Sequence, residues 1–329
     1  MKILVTGGGG FLGQAVVRAL LDRGHEVATL NRSAYPALEA LGVAQHRGDI
    51  GDADAVEIAC RGREAVIHVA AKAGPGLHGP DFVRANVHGT RNVVDACRRH
   101  GIGVLVHTSS PSVVHAGGDI EGGDESLPLA EHHPAPYPAT KAEAERIALG
   151  ANGADLRVAA LRPHLIWGPG DNHLLPRLIE RNRAGRLKLP APEKKIDTVY
   201  IDNAAEAHVA ALDDLAGPAR SAGRAYFITN GEPRPVADIL RGLLEAAGET
   251  PRIGAVNPKI ATAAAYAVEG VWRTLRLRRD PPISRFVVEH LATAHWFSIE
   301  AAKRDLDWTP TVSIDEGLER LRRSCKENP

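Results

Sequence analysis

Tyr137-Pro138-Ala139-Thr140-Lys141 sets a phenol and an ammonium four residues apart at the start of a helical stretch running to about Ala151. On a helix that spacing puts both groups on one face. A free tyrosine titrates near ~10, and an adjacent ammonium favours the phenolate and draws that value down. A phenol tuned in this way can give or take a proton near neutral pH. Upstream, Val106-His107-Thr108-Ser109-Ser110-Pro111 closes an apolar run. The Ser110 hydroxyl could donate to a carbonyl oxygen and polarise it. The plainer alternative makes Ser109 and Ser110 turn residues at the chain exit. Together, Ser110, Tyr137 and Lys141 offer proton transfer at a carbonyl or alcohol.

A second group of residues could hold a reaction partner. Val5-Thr6-Gly7-Gly8-Gly9-Gly10-Phe11-Leu12-Gly13 lies between the apolar run Lys2 to Val5 and an apolar-periodic stretch, Phe11 to Leu21. A glycine turn between strand and helix lets backbone approach a dinucleotide pyrophosphate, with the positive end of the helix facing it. Gly7, Gly10, Phe11, Leu12 and Gly13 are the expected contacts. In NAD sites an acid about 20 residues further on binds the ribose. Here that place reads Leu30-Asn31-Arg32-Ser33. An arginine suits a 2′-phosphate instead, so NADP(H) is expected, with Asn31, Arg32 and Ser33 around the phosphate. Asp49, with Ile50 beside it, would accept from the adenine amino group or else cap the next helix. Ala70, Ala71 and Lys72 complete the expected cofactor wall. A surface role for Arg32 is the alternative.

These residues need a scaffold. Strand patterns lie at Lys2 to Val5, Glu26 to Leu30, Val43 to Arg47, Ala65 to Val69, Val104 to His107 and Arg157 to Leu161. Helical patterns alternate with them near Phe11 to Arg23, Asp54 to Arg61, Asp81 to His100 and Tyr137 to Ala151. Such alternation predicts an α/β fold, a doubly wound parallel sheet of Rossmann type. Ligands bind such sheets at the strands' carboxyl ends, where Gly7, Asp49, Ala70 and Ser110 all fall. We expect a cofactor domain over 1–165, to which later segments could return, and a smaller substrate lobe over 166–329. In that lobe strands are plausible at Thr198 to Ile201 and Ala225 to Ile228, and helices near Asn203 to Leu215 and Val236 to Ala247. Ile260 to Leu277 is an apolar-rich helical stretch, Ala261 to Trp272 being largely apolar, with Arg273, Arg276, Arg278 and Arg279 after Trp272. It could shield alkyl chains, touch a membrane surface, meet a partner or simply pack in the core. Gly117 to Pro136, with His132 and His133, reads as a solvated loop without metal-ligand spacing.

Bulk properties exclude several classes. The 329 residues are 44% apolar and 24% charged, with 40 basic and 40 acidic side chains. That balance predicts no global attraction to nucleic acid or membrane. Three cysteines without a C-x-x-C predict neither disulfide framework nor zinc site. No signal peptide or transmembrane run is legible, so the expected location is cytoplasmic.

The motifs together resemble the extended short-chain dehydrogenase/reductase superfamily: Thr6-Gly7-x-x-Gly10-x-x-Gly13, Asp49, His68-x-Ala70-Ala71, Asn86 in Asn86-Val87-x-Gly89-Thr90-x-Asn92, Ser110, Tyr137-x-x-x-Lys141 and Arg162-Pro163. Ala135-Pro136-Tyr137-Pro138, Trp167-Gly168-Pro169-Gly170-Asp171 and Tyr200-Ile201-Asp202-Asn203-Ala204-Ala205 are similar to its 3β-hydroxysteroid dehydrogenase branch. Asn31-Arg32-Ser33-x-Tyr35-Pro36, Pro111-Ser112-Val113, Asn230-Gly231-Glu232-Pro233 and His295-Trp296-Phe297-Ser298 resemble the 2-alkyl-3-oxoalkanoate reductases of bacterial olefin synthesis. The resemblance assigns Ser110, Tyr137 and Lys141 to catalysis, Asn86 to a water-linked proton route behind the lysine, and Pro163 to the nicotinamide's surroundings. It implies NADPH reduction of a long-chain β-keto acid, alongside a β-lactone synthetase and a β-lactone decarboxylase. It also leaves a homodimer possible, through the Asp81 to His100 and Tyr137 to Ala151 helices. Rival readings are a sterol dehydrogenase, a sugar-nucleotide epimerase or dehydratase with tightly held NAD, and a non-catalytic NADP sensor.

Overall fold

A computed structural model describes residues 1–275, 277 and 279–327. Its centre is a seven-stranded sheet, all parallel, built from β1 (Lys2–Thr6), β2 (Glu26–Asn31), β3 (Ala44–Arg47), β4 (Ala65–His68), β5 (Val104–Thr108), β6 (Arg157–Pro163) and β7 (Arg224–Ile228). The order across the sheet is β7-β6-β5-β4-β1-β2-β3. The order in which strands are added reverses between β1 and β4, which opens a crevice at their carboxyl ends. Sequential strands are joined by crossover helices, so the inner strands are covered on both faces and read as largely apolar runs, while the edge strand β3 is polar and half-exposed. Ile3, Leu4 and Val5 are fully buried.

Two cores form, one per face. One packs β1, β4 and β6 against helices Phe11–Asp22 and Ile201–Ala216 through Val16, Val17, Leu20, Val209 and Leu212. The other packs helices Ala53–Cys60, Gly89–Arg99 and Pro136–Gly150 through Val56, Val93, Cys97 and Ala148. The edge strand β7 and the Ile201–Ala216 helix come from beyond residue 165, so the chain leaves the cofactor half and returns to it.

The second lobe is organised by a four-stranded sheet ordered Arg234–Pro235, Lys195–Ile196, His295–Phe297, Ile120–Gly123. Its last strand lies inside the segment expected to be a solvated loop. Ile120 pairs with His295, and Ile120, Leu127 and Leu129 pack on Val113, Ala142 and Phe297. Glu125 accepts from the Phe227 amide at 2.9 Å. The insertion is therefore a structural brace. Its polar composition conceals three apolar residues spaced too far apart to read as a strand. The helix expected over Asp81 to His100 is interrupted: a π-helical turn, Val83–His88, precedes the α-helix Gly89–Arg99. The apolar-rich stretch is a helix, Pro258–Thr274, packed on Arg285–Ala292. Arg276 and Arg278 lie outside the described residues. Among the described residues, no helix is long and apolar enough to cross a membrane.

Candidate active site

The glycine turn comes first at the rim. Gly7 leaves β1 at φ +71°, a region glycine enters at no steric cost. Its amide donates to the Leu30 carbonyl, and the Gly10 amide to the Gly7 carbonyl, both at 2.9 Å. A Cβ on Gly7 would lie 2.8 Å from Ala70 Cα; one on Gly13 would lie 2.1 Å from the Gly7 carbonyl oxygen. Phe11 and Leu12 open the following helix, which starts at Gly10 with no side-chain cap and no acid in its first turn. Its leading N–H groups are thus left for an anion. This cradle fits a dinucleotide pyrophosphate.

Asn31 turns inward. Its Oδ1 accepts from the Gly9 amide at 2.8 Å and its Nδ2 donates to Thr29 Oγ1 at 2.9 Å. It therefore shapes the loop, while Arg32 and Ser33 are exposed at the rim. Two neighbours escape the sequence reading. Arg47 stands in register with Asn31 and donates to the Arg32 carbonyl at 3.4 Å. The Tyr35 ring lies against Gly9, where a Cβ would come within 2.2 Å of it. Arg47 could have been found by aligning the ends of the second and third strand patterns.

Asp49 does not cap a helix; Asp52 does, by accepting from the Asp54 amide. Asp49 Oδ1 accepts from the Gly51 amide at 2.8 Å and stands 3.4 Å from Arg84. Ile50 is buried, and a Cβ on Gly89 would press on it. Ala70 donates its amide to Thr6 Oγ1 at 3.3 Å; Ala71 is exposed, and Lys72 pairs with Asp81 at 3.5 Å. Asn86, on the π turn, accepts from the Lys72 amide and donates to the Lys72 carbonyl and Thr140 Oγ1. None of these bonds reaches Lys141, so Asn86 clamps the turn after β4. A neutral strut runs beneath. The Thr90 hydroxyl donates to the Asn86 carbonyl, so it accepts from His68 Nε2, and His68 Nδ1 accepts from the Thr6 hydroxyl. Burial pushes His68 down to about 3, keeping it uncharged.

Ser110, Tyr137 and Lys141 meet where β5 ends and the Pro136–Gly150 helix begins. Ser110 caps the short turn Pro111–Val113 and shares a 2.9 Å hydrogen bond with Ser112. Its hydroxyl also lies close enough to the Tyr137 phenol to favour the phenolate. The turn role of Ser110 is realised in this cap, and the same hydroxyl stands beside the phenol. The acidity of Tyr137 departs from expectation. Burial raises its pKa, and the Ser110 hydroxyl only partly opposes that. The reason is where Lys141 points: its Nζ donates to the Thr108 carbonyl. Lys141 itself is buried and pushed down to about 8, with Glu145 acting the other way. Pro163 ends β6, the next strand over, and is buried. The arrangement presents one hydroxyl to orient a carbonyl oxygen and one phenol to protonate it. A reduced nicotinamide bound at this rim would supply the hydride.

Residues 4–254 match the model of the 3-beta hydroxysteroid dehydrogenase/isomerase family. The chain is 53% identical over 328 residues to a 2-alkyl-3-oxoalkanoate reductase of Stenotrophomonas maltophilia, covering 98% of this chain and 99% of that one. It is 35% identical to a 3 beta-hydroxysteroid dehydrogenase/Delta 5→4-isomerase of Mycobacterium tuberculosis, over 96% of this chain and 88% of that one. The fold is similar to Thermus thermophilus UDP-glucose 4-epimerase in complex with NAD, at TM-score 0.76 and 26% identity with both chains fully covered. With its doubly wound sheet and this rim, the chain is an oxidoreductase that belongs to the 3-beta hydroxysteroid dehydrogenase/isomerase family.

Proposed function

We propose that the protein reduces a 2-alkyl-3-oxoalkanoate to the 2-alkyl-3-hydroxyalkanoate with NADPH. The observation that carries this is the 53% identity to a 2-alkyl-3-oxoalkanoate reductase across nearly both full lengths. Ser110, Tyr137 and Lys141, standing together at the rim, support it. In this reading the Ser110 hydroxyl donates to the keto oxygen while Tyr137 gives it a proton. The raised phenol pKa suits a donor that must stay protonated at rest. Lys141 anchors the end of β5 through Thr108 and returns its charge to the site when a ribose replaces that carbonyl. Asn86 and Pro163 shape the walls. Arg32, with Arg47 beside it, supports NADPH over NADH, because two guanidinium groups at the ribose rim favour a 2′-phosphate. A β-hydroxy acid is the substrate that a β-lactone synthetase would close into a ring, so that enzyme and a β-lactone decarboxylase are the partners we propose.

Product analysis tests the reading. Racemic 2-alkyl-3-oxoalkanoate and NADPH should yield the 3-hydroxy acid, with little turnover of a sterol panel. Efficient oxidation of 3β-hydroxysterols with no reduction of the keto acid would replace this substrate by a steroid. Tyr137→Phe should lower kcat by about 10²–10⁴-fold while NADPH fluorescence still reports binding.

A further inference from the structure

Four histidines far apart in sequence come together beside the site. His115 and His290 stand with ring centroids 4.8 Å apart, His164 and His295 4.8 Å, and His290 and His295 5.1 Å. His115 lies three residues beyond Ser112, and His164 follows Pro163, so two of them continue the segments that flank the expected carbonyl. The other two come from the helix Arg285–Ala292 and the strand His295–Phe297. One aromatic ring links the cluster to the phenol: Phe286 is 6.1 Å from Tyr137 edge to face and 4.3 Å from His290.

The backbone fixes the tautomers. His164 Nδ1 faces the Asp197 carbonyl, His290 Nδ1 the Phe286 carbonyl at 3.2 Å, and His295 Nδ1 the Thr293 carbonyl at 2.9 Å. A carbonyl only accepts, so each Nδ1 carries the hydrogen and each Nε2 is left with a lone pair. No partner for these three Nε2 atoms exists among the described residues. His115 differs. Thr293 spends its hydroxyl hydrogen on the Glu289 carbonyl and accepts from His115 Nε2, which turns His115 Nδ1 toward Glu289, 3.8 Å away.

The three Nε2 atoms are without a hydrogen-bond partner among the described residues yet are not sealed in the packing, which leaves them open to a ligand. The group is not a metal centre: among the described residues no set of His, Cys, Asp and Glu is placed to hold one. The guanidinium groups adjoining it in sequence are already committed, Arg162 to Glu145 and Arg285 to Glu269. The charged groups facing the cluster are carboxylates, Glu289 and an Asp119 that is itself bound to Lys194. Burial holds all four imidazoles below their ordinary value, and mutual repulsion adds to it for His164, His290 and His295. At rest they are neutral.

We propose that the cluster of His115, His164, His290 and His295 is the receptor for the substrate carboxylate, taking up one proton from solvent as the acid binds. This deepens the reductase reading and rests on it. The carboxylate arrives ionised, one Nε2 gains a proton, and an imidazolium–carboxylate pair forms in a low-dielectric wall where such a pair is strong. The remaining rings spread the choice of which nitrogen is charged. A neutral ketone of the same shape has no use for the proton.

The test compares a 2-alkyl-3-hydroxyalkanoate with its methyl ester, both binding the NADP⁺-loaded wild-type enzyme. Calorimetry in buffers of different ionisation enthalpy should count about one proton taken up with the acid and none with the ester. The acid's Kd should rise about tenfold per pH unit between about pH 6.5 and 8.5, the ester's staying flat. His290→Gln and His164→Gln should lower the acid-over-ester ratio of kcat/KM for the keto pair at least tenfold (about 1.4 kcal/mol). Tight acid binding with no proton uptake overturns the receptor and leaves the reductase reading standing. Absence of any reduction of the keto acid overturns both.

Discussion

At the scale of single residues, Lys141 carries an internal conflict between stability and use. It is a buried ammonium whose one hydrogen-bond partner among the described residues is the Thr108 carbonyl. Its pKa falls from 10.5 to about 8. The unfolded chain therefore holds more protons than the folded one between about pH 8 and 10.5, and stability should rise with pH across that window. Below pH 8 the cost is fully present. Lys141→Met should consequently stabilise the apoenzyme at pH 7 by about 1–3 kcal/mol, while turnover falls by orders of magnitude. Urea unfolding of both proteins at pH 7 and 9.5 checks it. A variant less stable than wild type at pH 7 would mean that the ammonium contributes more through Thr108 than it loses by burial. Arg32 and Arg47 divide a different task. Arg32→Ser should lower the NADPH-over-NADH ratio of kcat/KM, and adding Arg47→Ser should lower it further, about tenfold or more per guanidinium. Equal preference in the double variant and wild type would place the phosphate elsewhere.

Elements explain what the sequence discloses and what it hides. Gly13 was legible as part of the motif because spacing alone marks it, and it lies in the first turn of the helix with its Cβ position 2.1 Å from the Gly7 carbonyl oxygen. Gly13→Ala should therefore push the Phe11–Asp22 helix off β1, costing about 1–3 kcal/mol in stability and weakening coenzyme binding; differential scanning and NADPH fluorescence read both. Five of the six strands of the cofactor half were legible for a related reason, since burial makes them largely apolar runs; the edge strand β3 (Ala44–Arg47) is polar and half-exposed. Three features were not. The π turn at Val83–His88 leaves the helical periodicity nearly intact. The strand Ile120–Gly123 pairs with His295–Phe297, so its partner is about 175 residues away by arithmetic on their numbers and no local pattern announces it. The direction of Tyr137's pKa depends on which way one lysine side chain turns, and a four-residue spacing says only that it lies on the same face.

Over the whole molecule, the charge that matters is the charge withheld. Seven histidines, at positions 68, 107, 115, 164, 208, 290 and 295, are buried or half-buried with pKa values held below the ordinary 6.5. Desolvation is the leading cause for every one. They sit in different layers: His68 and His107 on adjacent central strands, His208 bonded to Thr108 from the Ile201–Ala216 helix, and the others where the segments after β5 and β6 meet Arg285–Ala292 and His295–Phe297 of the second lobe. In the unfolded chain all seven titrate near their ordinary value. The unfolded state thus binds more protons below about pH 6.5, and stability must fall as pH falls through that point. With this many groups acting together the slope should reach on the order of 5 kcal/mol per pH unit between about pH 6 and 5. Urea midpoints measured at half-unit steps from pH 7.5 to 5 should drop steeply below 6.5 and change little above it. The second lobe should open first, since four of the seven meet against it. Amide exchange at pH 5.5 would then show Arg285–Ala292 losing protection before β1, β4 and β5. A flat midpoint down to pH 5 would mean that the ligand-free folded protein protonates these rings in place, with no carboxylate to pair them, and would overturn the argument from desolvation.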